Sequence, residues 1–144
     1  MPADMTLAPE TAAPASLRHT LRVYWEDTDA GGVVYYANYL KFFERARTEW
    51  LRALGFGQQT LRERTGALFV VTDTRVRYLA PARLDDPLEV TVALVGSGKA
   101  SMVLAQQAWR GDTLLAEGEI RVGCVDEGTF RPRRIPTELM NAIA

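Results

Sequence analysis

The chain carries two kinds of hydrophobic period, one typical of a helix and one typical of strands. Within residues 33–54, apolar side chains recur every three or four positions, a spacing that favours a helix with one buried face. These side chains are Tyr39, Phe42, Phe43, Ala46, Trp50, Leu51 and Leu54. Asn38 is a candidate N-cap, and Gly55 stands where a helix would end. The pattern predicts one long amphipathic helix, with a short second helix over residues 58–64.

Alternation of apolar and polar residues precedes and follows this helix. It covers residues 19–25 and returns in four later runs, residues 68–79, 88–95, 99–110 and 114–125. The dipeptide Gly111-Asp112 is a hairpin turn between the last two runs. Antiparallel strands of this kind leave one sheet face to cover, and the long helix is available to cover it. We therefore predict a single α+β domain.

Composition narrows the classes of function. The 144 residues are enough for one domain with a sizeable core. Lys and Arg number 17 and Asp and Glu 18, so a net charge of -1 argues against general nucleic-acid binding. The sequence has no apolar run near the roughly 20 residues that span a bilayer, and no secretory pattern. We expect a cytoplasmic protein with a flexible tail over residues 1–16 and a domain over residues 17–144.

The chain has one cysteine and one histidine, which limits the disulfide, metal and catalytic sites it can form. Cys124 and His19 are the only cysteine and histidine, which rules out an intrachain disulfide and argues against a zinc site. Cys124 falls on the apolar side of its strand pattern, which favours a buried structural thiol over a nucleophile. A serine triad would need His19, and the chain lacks the Gly-x-Ser-x-Gly, Walker A and Gly-x-Gly-x-x-Gly motifs.

The remaining chemistry lies between the first strand and the long helix. Glu26, Asp27 and Asp29 are three carboxylates within four residues, followed by Gly31 and Gly32. Composition alone favours a surface turn. Geometry offers an alternative, because a carboxylate just before a helix faces the free N–H groups of the first turn. The same N–H groups could hold an oxyanion, and a base beside an oxyanion site is a minimal hydrolase.

The segment over residues 24–39, YWEDTDAGGVVYYANY, and the segment over residues 43–49, FERARTE, closely resemble the Tol-Pal-associated acyl-CoA thioesterases. These are hotdog-fold relatives of the 4-hydroxybenzoyl-CoA thioesterases. The resemblance covers about residues 18–140 and includes weaker motifs at residues 78–86, 115–118 and 131–136. It implies a five-stranded antiparallel sheet wrapped around one long central helix. It also implies hydrolysis of an acyl thioester without a metal or organic cofactor, since coenzyme A is part of the substrate.

The resemblance further implies roles for individual residues. Asp29 is the essential carboxylate, acting as general base or as nucleophile, and the backbone N–H of Tyr36 is the oxyanion donor. Most Tol-Pal-associated members have a histidine at the position of Tyr36, whereas the hydroxybenzoyl branch has tyrosine, and a backbone donor survives either side chain. Lys99 and Arg133 match phosphate contacts. Other expected substrate contacts are Val33, Val34, Tyr35 and Asn38.

Two alternatives stay open from the sequence. A different hotdog branch uses a glutamate on the long helix, for which Glu44 is the candidate, although Arg45 and Arg47 favour a structural ion pair there. A non-catalytic module that binds an acyl chain or acyl carrier protein is the second. The resemblance also implies a homodimer or homotetramer whose active sites lie between subunits, with residues around 66–71 supplied by the second subunit. Acyl carrier protein is a further candidate partner.

Overall fold

The computed structural model describes residues 16–143. Five strands, β1 to β5, span Ser16–Arg22, Ala67–Tyr78, Pro87–Ser97, Ser101–Arg110 and Thr113–Asp126. Three helices, α1 to α3, span Asn38–Ala53, Gln58–Thr65 and Thr137–Ile143. The four later strands lie within two residues of their predicted bounds. β1 ends before its predicted end because Trp25–Asp27 forms a short 3-10 turn. The predicted tail lies outside the described residues, apart from Ser16, which begins β1.

All strand pairs in the sheet are antiparallel, in the order β1-β3-β4-β5-β2. β1 and β2 are therefore its edges. α1 packs across β1, β3 and β4, as the predicted hotdog arrangement requires. The other two helices add Leu61, Leu139 and Ile143 to the core, so three helices share a face that we expected one to cover. Within residues 16–143, the structure contains no helix long and apolar enough to cross a membrane.

The predicted apolar stripe of α1 is the buried face of that helix. Its buried members are Tyr39, Phe42, Phe43, Ala46, Trp50 and Leu51. The helix ends as predicted: the N–H of Gly55 donates to the carbonyl of Arg52 at 2.9 Å, and that of Phe56 to the carbonyl of Leu51 at 2.8 Å. This pair of bonds is the Schellman arrangement, which satisfies two of the free carbonyls at a helix end.

The prediction that Asn38 caps α1 was wrong. Asn38 is the first helical residue, the cap position belongs to Ala37, and no side chain bonds the free N–H groups there. The Asn38 side chain instead donates from Nδ2 to the carbonyl of Asp27 at 2.9 Å. The loop before the helix therefore uses this side chain, and no side chain caps the start of α1.

One polar side chain, Gln106 of β4, lies fully buried beneath α1. Its Nε2 donates to the carbonyls of Phe43 at 3.0 Å and Thr91 at 3.3 Å. Its Oε1 accepts from Nη1 of Arg47 at 3.0 Å, and burial lowers the pKa of that guanidinium. Each polar atom of the amide has a partner, so burial leaves no unpaired group. The network joins the backbone of α1 to that of β3 and holds the helix at one level on the sheet.

Gly118 of β5 lies where β2 approaches too closely for a side chain. A Cβ at this position would stand 2.5 Å from the carbonyl oxygen of Arg75. We expect Gly118→Ala to force β2 outward and to lower the free energy of unfolding by about 1–3 kcal/mol, measured by urea denaturation. Gly123→Ala in the same strand is the control, because the nearest atom to its Cβ would be the Cγ2 of Thr72, at 3.3 Å. Equal losses in the two variants would contradict this account.

Candidate active site

The segment between β1 and α1 folds back on itself, and Asp27 closes it. The carbonyl of Asp27 accepts from the N–H of Tyr35 at 2.9 Å and from the side chain of Asn38. Its carboxylate is buried, with 4% of the residue exposed, and accepts from the N–H of Tyr24 at 2.8 Å. Asp27 therefore holds the loop together, and its carboxylate is committed to the backbone.

Asp29 lies in the exposed turn of the same loop. Its N–H donates to the carbonyl of Val33 at 2.9 Å, and its carbonyl accepts from the N–H of Gly32 at 3.0 Å. The turn needs glycine at residue 32, where φ is 81°. Oδ1 of Asp29 accepts from the N–H of Gly31 at 2.8 Å, whereas Oδ2 accepts no hydrogen bond from the residues described. The carboxylate is thus both oriented by the backbone and open to solvent.

The backbone enters α1 through Tyr36 and Ala37. Their carbonyls already accept from the N–H groups of Tyr39 at 3.3 Å and Leu40 at 3.1 Å. Their own N–H groups find no acceptor anywhere in residues 16–143. They are the free donors of a helix start, where the helix dipole adds partial positive charge. Donors of this kind stabilise an oxygen that becomes negative during a reaction.

Asp29 and these donors lie on the two sides of one small antiparallel turn. An isolated bridge joins Thr28, the residue before Asp29, to Val34, two residues before Tyr36. The structure therefore brings the predicted base and the predicted oxyanion donor to the same end of α1.

A groove of about 280 Å³ opens beside the start of α1. Its lining residues are Val34, Tyr36, Tyr39, Tyr78, Leu79, Ala80 and Pro81. The ring of Tyr78 lies 5.9 Å from that of Tyr36 and 5.5 Å from that of Tyr39, centroid to centroid. Burial raises the pKa of the Tyr39 and Tyr78 phenols, so both stay neutral at physiological pH. The groove offers a largely apolar, uncharged wall.

The predicted substrate contacts in the loop differ in their surroundings. Val34 lines the groove and is almost fully buried. Val33 pairs with Arg83, and the exposed ring of Tyr35 packs 5.0 Å from that of Tyr36. Asn38 is occupied by the carbonyl of Asp27. Direct substrate contact by these residues stays a prediction.

Sequence reasoning gave no role to one wall of the groove, which comes from Tyr78 and the three residues after it. These residues are distant from the Asp29 loop in sequence, and only the fold brings the end of β2 beside the start of α1. The one signal was the Tyr-Leu-Ala-Pro-Ala motif at residues 78–82, which contributed to the resemblance.

Lys99 and Arg133 lie together at the opposite end of the sheet. The carbonyl of Lys99, in the turn after β3, accepts from the N–H of Ile135 at 2.9 Å. Nη1 of Arg133 donates to the carbonyl of Thr65 at 2.7 Å and lies 3.4 Å from a carboxylate oxygen of Asp126. The Asp29 loop adjoins the start of β3, and a strand of 11 residues spans about 30 Å. Within one chain, the predicted phosphate contacts therefore lie far from the predicted catalytic groups, Asp29 and Tyr36.

Three other reactive groups lie away from this groove. Glu44 points outward from α1, and its carboxylate accepts from the hydroxyl of Thr48 at 2.6 Å. Cys124 is buried, which raises its thiol pKa and fits the structural role we predicted. His19 lies half-buried on β1, at an edge of the sheet. The structure gives none of them a place in the lining of the groove.

Comparisons with known proteins agree on the family. The profile of the Thioesterase-like superfamily matches residues 23–143. A protein named acyl-CoA thioesterase YbgC, from Haemophilus influenzae, is 46% identical over 122 residues, which cover 85% of this chain and 90% of that protein. The acyl-CoA thioester hydrolase YbgC of Escherichia coli O6:H1 is 48% identical over 124 residues, covering 85% and 92%.

A solved structure gives the same result. The crystal structure of a probable thioesterase from Bartonella henselae superposes with a TM-score of 0.80 at 32% identity, covering 85% of this chain and 100% of that one. Sequence and fold both match over nearly all the described residues. The chain belongs to the thioesterase-like superfamily.

Proposed function

We propose that the protein hydrolyses acyl-CoA thioesters to a carboxylic acid and free coenzyme A, with Asp29 and the backbone N–H of Tyr36 as its catalytic groups. The observation that carries this proposal is one juxtaposition: an oriented, accessible carboxylate lies across a small turn from two unused N–H donors. The names of the two bacterial relatives support acyl-CoA as the substrate class.

Two routes use the same groups. In the first, Asp29 takes a proton from water, and the resulting hydroxide attacks the thioester carbonyl. In the second, Asp29 attacks the carbonyl itself and displaces the sulfur of coenzyme A, and water then hydrolyses the resulting mixed anhydride to the carboxylic acid and free Asp29. In both, the carbonyl oxygen becomes negative and the Tyr36 N–H donates to it. The C–S bond then breaks, and the sulfur of coenzyme A leaves as a thiolate that takes up a proton.

Within one chain, the two predicted phosphate contacts, Lys99 and Arg133, lie far from Asp29. β2 is an edge strand, and its Val71 and Tyr78 are 49% and 44% exposed, which is unusual for apolar residues on a free edge. Antiparallel pairing of two β2 strands about a twofold axis would continue the sheet. It would also bring the Ala67 end of one strand to the Tyr78 end of the other. We therefore propose a homodimer, alone or doubled to a homotetramer.

In that assembly each site draws on both subunits. The partner's Arg133 lies near the Ala67 end of the partner's β2, since Ala67 pairs with Asp126 and Arg133 contacts Asp126. It would face the substrate held at Asp29 and Tyr36, with the partner's Lys99 nearby. The acyl group would then lie in the groove beside Tyr36, and the phosphates at the basic end of the partner.

Release of free thiol from a panel of acyl-CoAs tests the proposal. The panel spans short, long and aromatic acyl groups. A parallel assay with acyl groups attached to acyl carrier protein tests that protein as a partner. We expect catalytic release from at least one acyl-CoA. Tight binding of an acyl-CoA with no thiol release from any panel member would instead support the non-catalytic acyl-binding module.

The side chain of Tyr36 gives a separate prediction. Because the proposed donor is a backbone N–H, Tyr36→Phe should keep kcat within several-fold, and Tyr36→His should be tolerated. Tyr36→Pro removes the N–H at a position near a helix start, where proline fits the backbone, and should lower kcat by about 10²- to 10³-fold. A thousandfold loss in Tyr36→Phe, measured by thiol release, would show that the phenol itself acts.

A further inference from the structure

Two arginines hold the loop of residues 81–86, between β2 and β3: Nη1 of Arg22 donates to the carbonyl of Asp85 at 2.6 Å, and Arg110 forms an ion pair with Asp86. Nη1 of Arg110, at the end of β4, donates to the carbonyl of Pro81 at 2.8 Å and to Oδ2 of Asp86 at 3.1 Å. The same carboxylate oxygen accepts from the N–H of Arg83 at 2.8 Å. The two charged side chains are 31% and 24% exposed, so most of the pair is out of solvent. We call this pair the Arg110–Asp86 clamp.

Residues 23–37 connect β1 to α1 and carry both proposed catalytic groups, and we call them the catalytic segment. The clamped loop supports the end of this segment that leads to Tyr36. The carbonyl of Ala82 accepts from the N–H of Val34 at 2.8 Å, and Arg83 forms a bridge with Val33. Val34 stands only two residues before the proposed oxyanion donor. A shift of the loop would therefore move the Tyr36 N–H.

The same loop also supports the other end of the catalytic segment. The carbonyl of Asp86 accepts from the N–H of Val23 at 3.0 Å, and the N–H of Asp85 donates to the carbonyl of Val23 at 2.9 Å. Val23 and Val34 enclose the Asp29 turn. Both ends of the segment that carries Asp29 are therefore bonded to the six residues that the clamp fixes.

We infer that Arg110 and Asp86 are positioning residues for the hydrolysis, setting Asp29 against the Tyr36 N–H through the 81–86 loop. Neither side chain lines the groove beside Tyr36. This inference rests on the proposed function, because it concerns the relative position of the two proposed catalytic groups. A displacement of about 1 Å between reacting groups lowers a rate by up to roughly 10²-fold.

The test compares Arg110→Met and Asp86→Asn with Arg18→Met and Glu89→Gln. The second pair is an ion pair of 2.6 Å between β1 and β3, which does not touch the 81–86 loop. We expect each clamp variant to lower kcat per folded molecule by about 10- to 100-fold, with KM within a few-fold of wild type. The double clamp variant should lose little more than the worse single one, and Arg110→Lys should recover part of the rate. The Arg18 and Glu89 variants should keep kcat.

Hydrogen exchange measured by mass spectrometry gives a readout that does not depend on activity. Peptides covering residues 23–37 should exchange faster in both clamp variants than in wild type, and at the wild-type rate in the control pair. Unchanged kcat and unchanged exchange, with only a lower melting temperature, would overturn the inference and leave a purely stabilising ion pair. If wild-type protein releases no thiol, the proposed function fails, while the exchange comparison still decides whether the clamp orders the loop.

Discussion

Asp29→Asn is expected to fold like the wild-type protein and to lose about 10²- to 10⁴-fold in kcat, or more if Asp29 is the nucleophile. The fold should survive because an asparagine oxygen can still accept from the N–H of Gly31, as Oδ1 of Asp29 does. The chemistry should not survive, since an amide neither takes a proton from water nor attacks a thioester. Thiol release from the best acyl-CoA of the panel measures the loss, and a retained affinity for that thioester shows that binding is intact.

Two neighbouring carboxylates are the matched controls. Glu26→Gln changes an exposed carboxylate of the same loop and should leave turnover near wild type. Asp27→Asn keeps an oxygen for the N–H of Tyr24 but buries an amide NH2 group beside it, so it should lower stability with far less effect on turnover. Wild-type turnover in Asp29→Asn, or an equal loss in Glu26→Gln, would refute the assignment of the carboxylate.

Thr74→Glu is expected to convert the assembly to monomers and to abolish turnover with it. Thr74 is exposed near the middle of β2, so pairing of two β2 edges about a twofold axis would place two copies close together. Like charges opposite each other across paired strands are destabilising, and burial of each carboxylate adds to the effect. Light scattering coupled to the thiol-release assay measures both losses in one sample.

Thr20→Glu places the same charge on the other edge strand, β1, where the threonine is also exposed. It should change neither mass nor turnover, because the proposed interface uses β2 alone. Circular dichroism should show that Thr74→Glu keeps part of its helix content, so that loss of activity is not simple unfolding. A fully active species near 16 kDa, the mass of one chain, would end the shared-site proposal.

The sequence predicted the features that depend on near neighbours. The stripe from Tyr39 to Leu51 and the alternation that ends at Cys124 are local periods, and the structure buries both as expected. Asn38 was misassigned because capping propensity is also local, whereas the carbonyl that takes its side chain, that of Asp27, comes from the preceding loop.

The candidate site also combines features set by near neighbours in the sequence with features set by distant ones. Composition could not separate Asp27 from Asp29, and only the resemblance favoured the second; the structure now distinguishes a buried carboxylate from an open one. Arg110 had no local signal, and Tyr78 had only the short motif at residues 78–82, because strand pairing brings each of them to the site. The distance from Lys99 to the Asp29 loop is a property of sheet topology, which no short motif encodes.

The segment of residues 23–37, between β1 and α1, is bonded to the 81–86 loop through the main chain of Val23 and Val34, and it is closed on itself by the N–H groups of Asp29 and Tyr35. Main-chain hydrogen bonds do not depend on which side chains the segment carries. Trp25, Ala30 and Tyr35 project from it into solvent. Natural selection, or a designer, could therefore exchange those three side chains to retune which thioesters are accepted, while the architecture that holds the reacting groups is inherited unchanged.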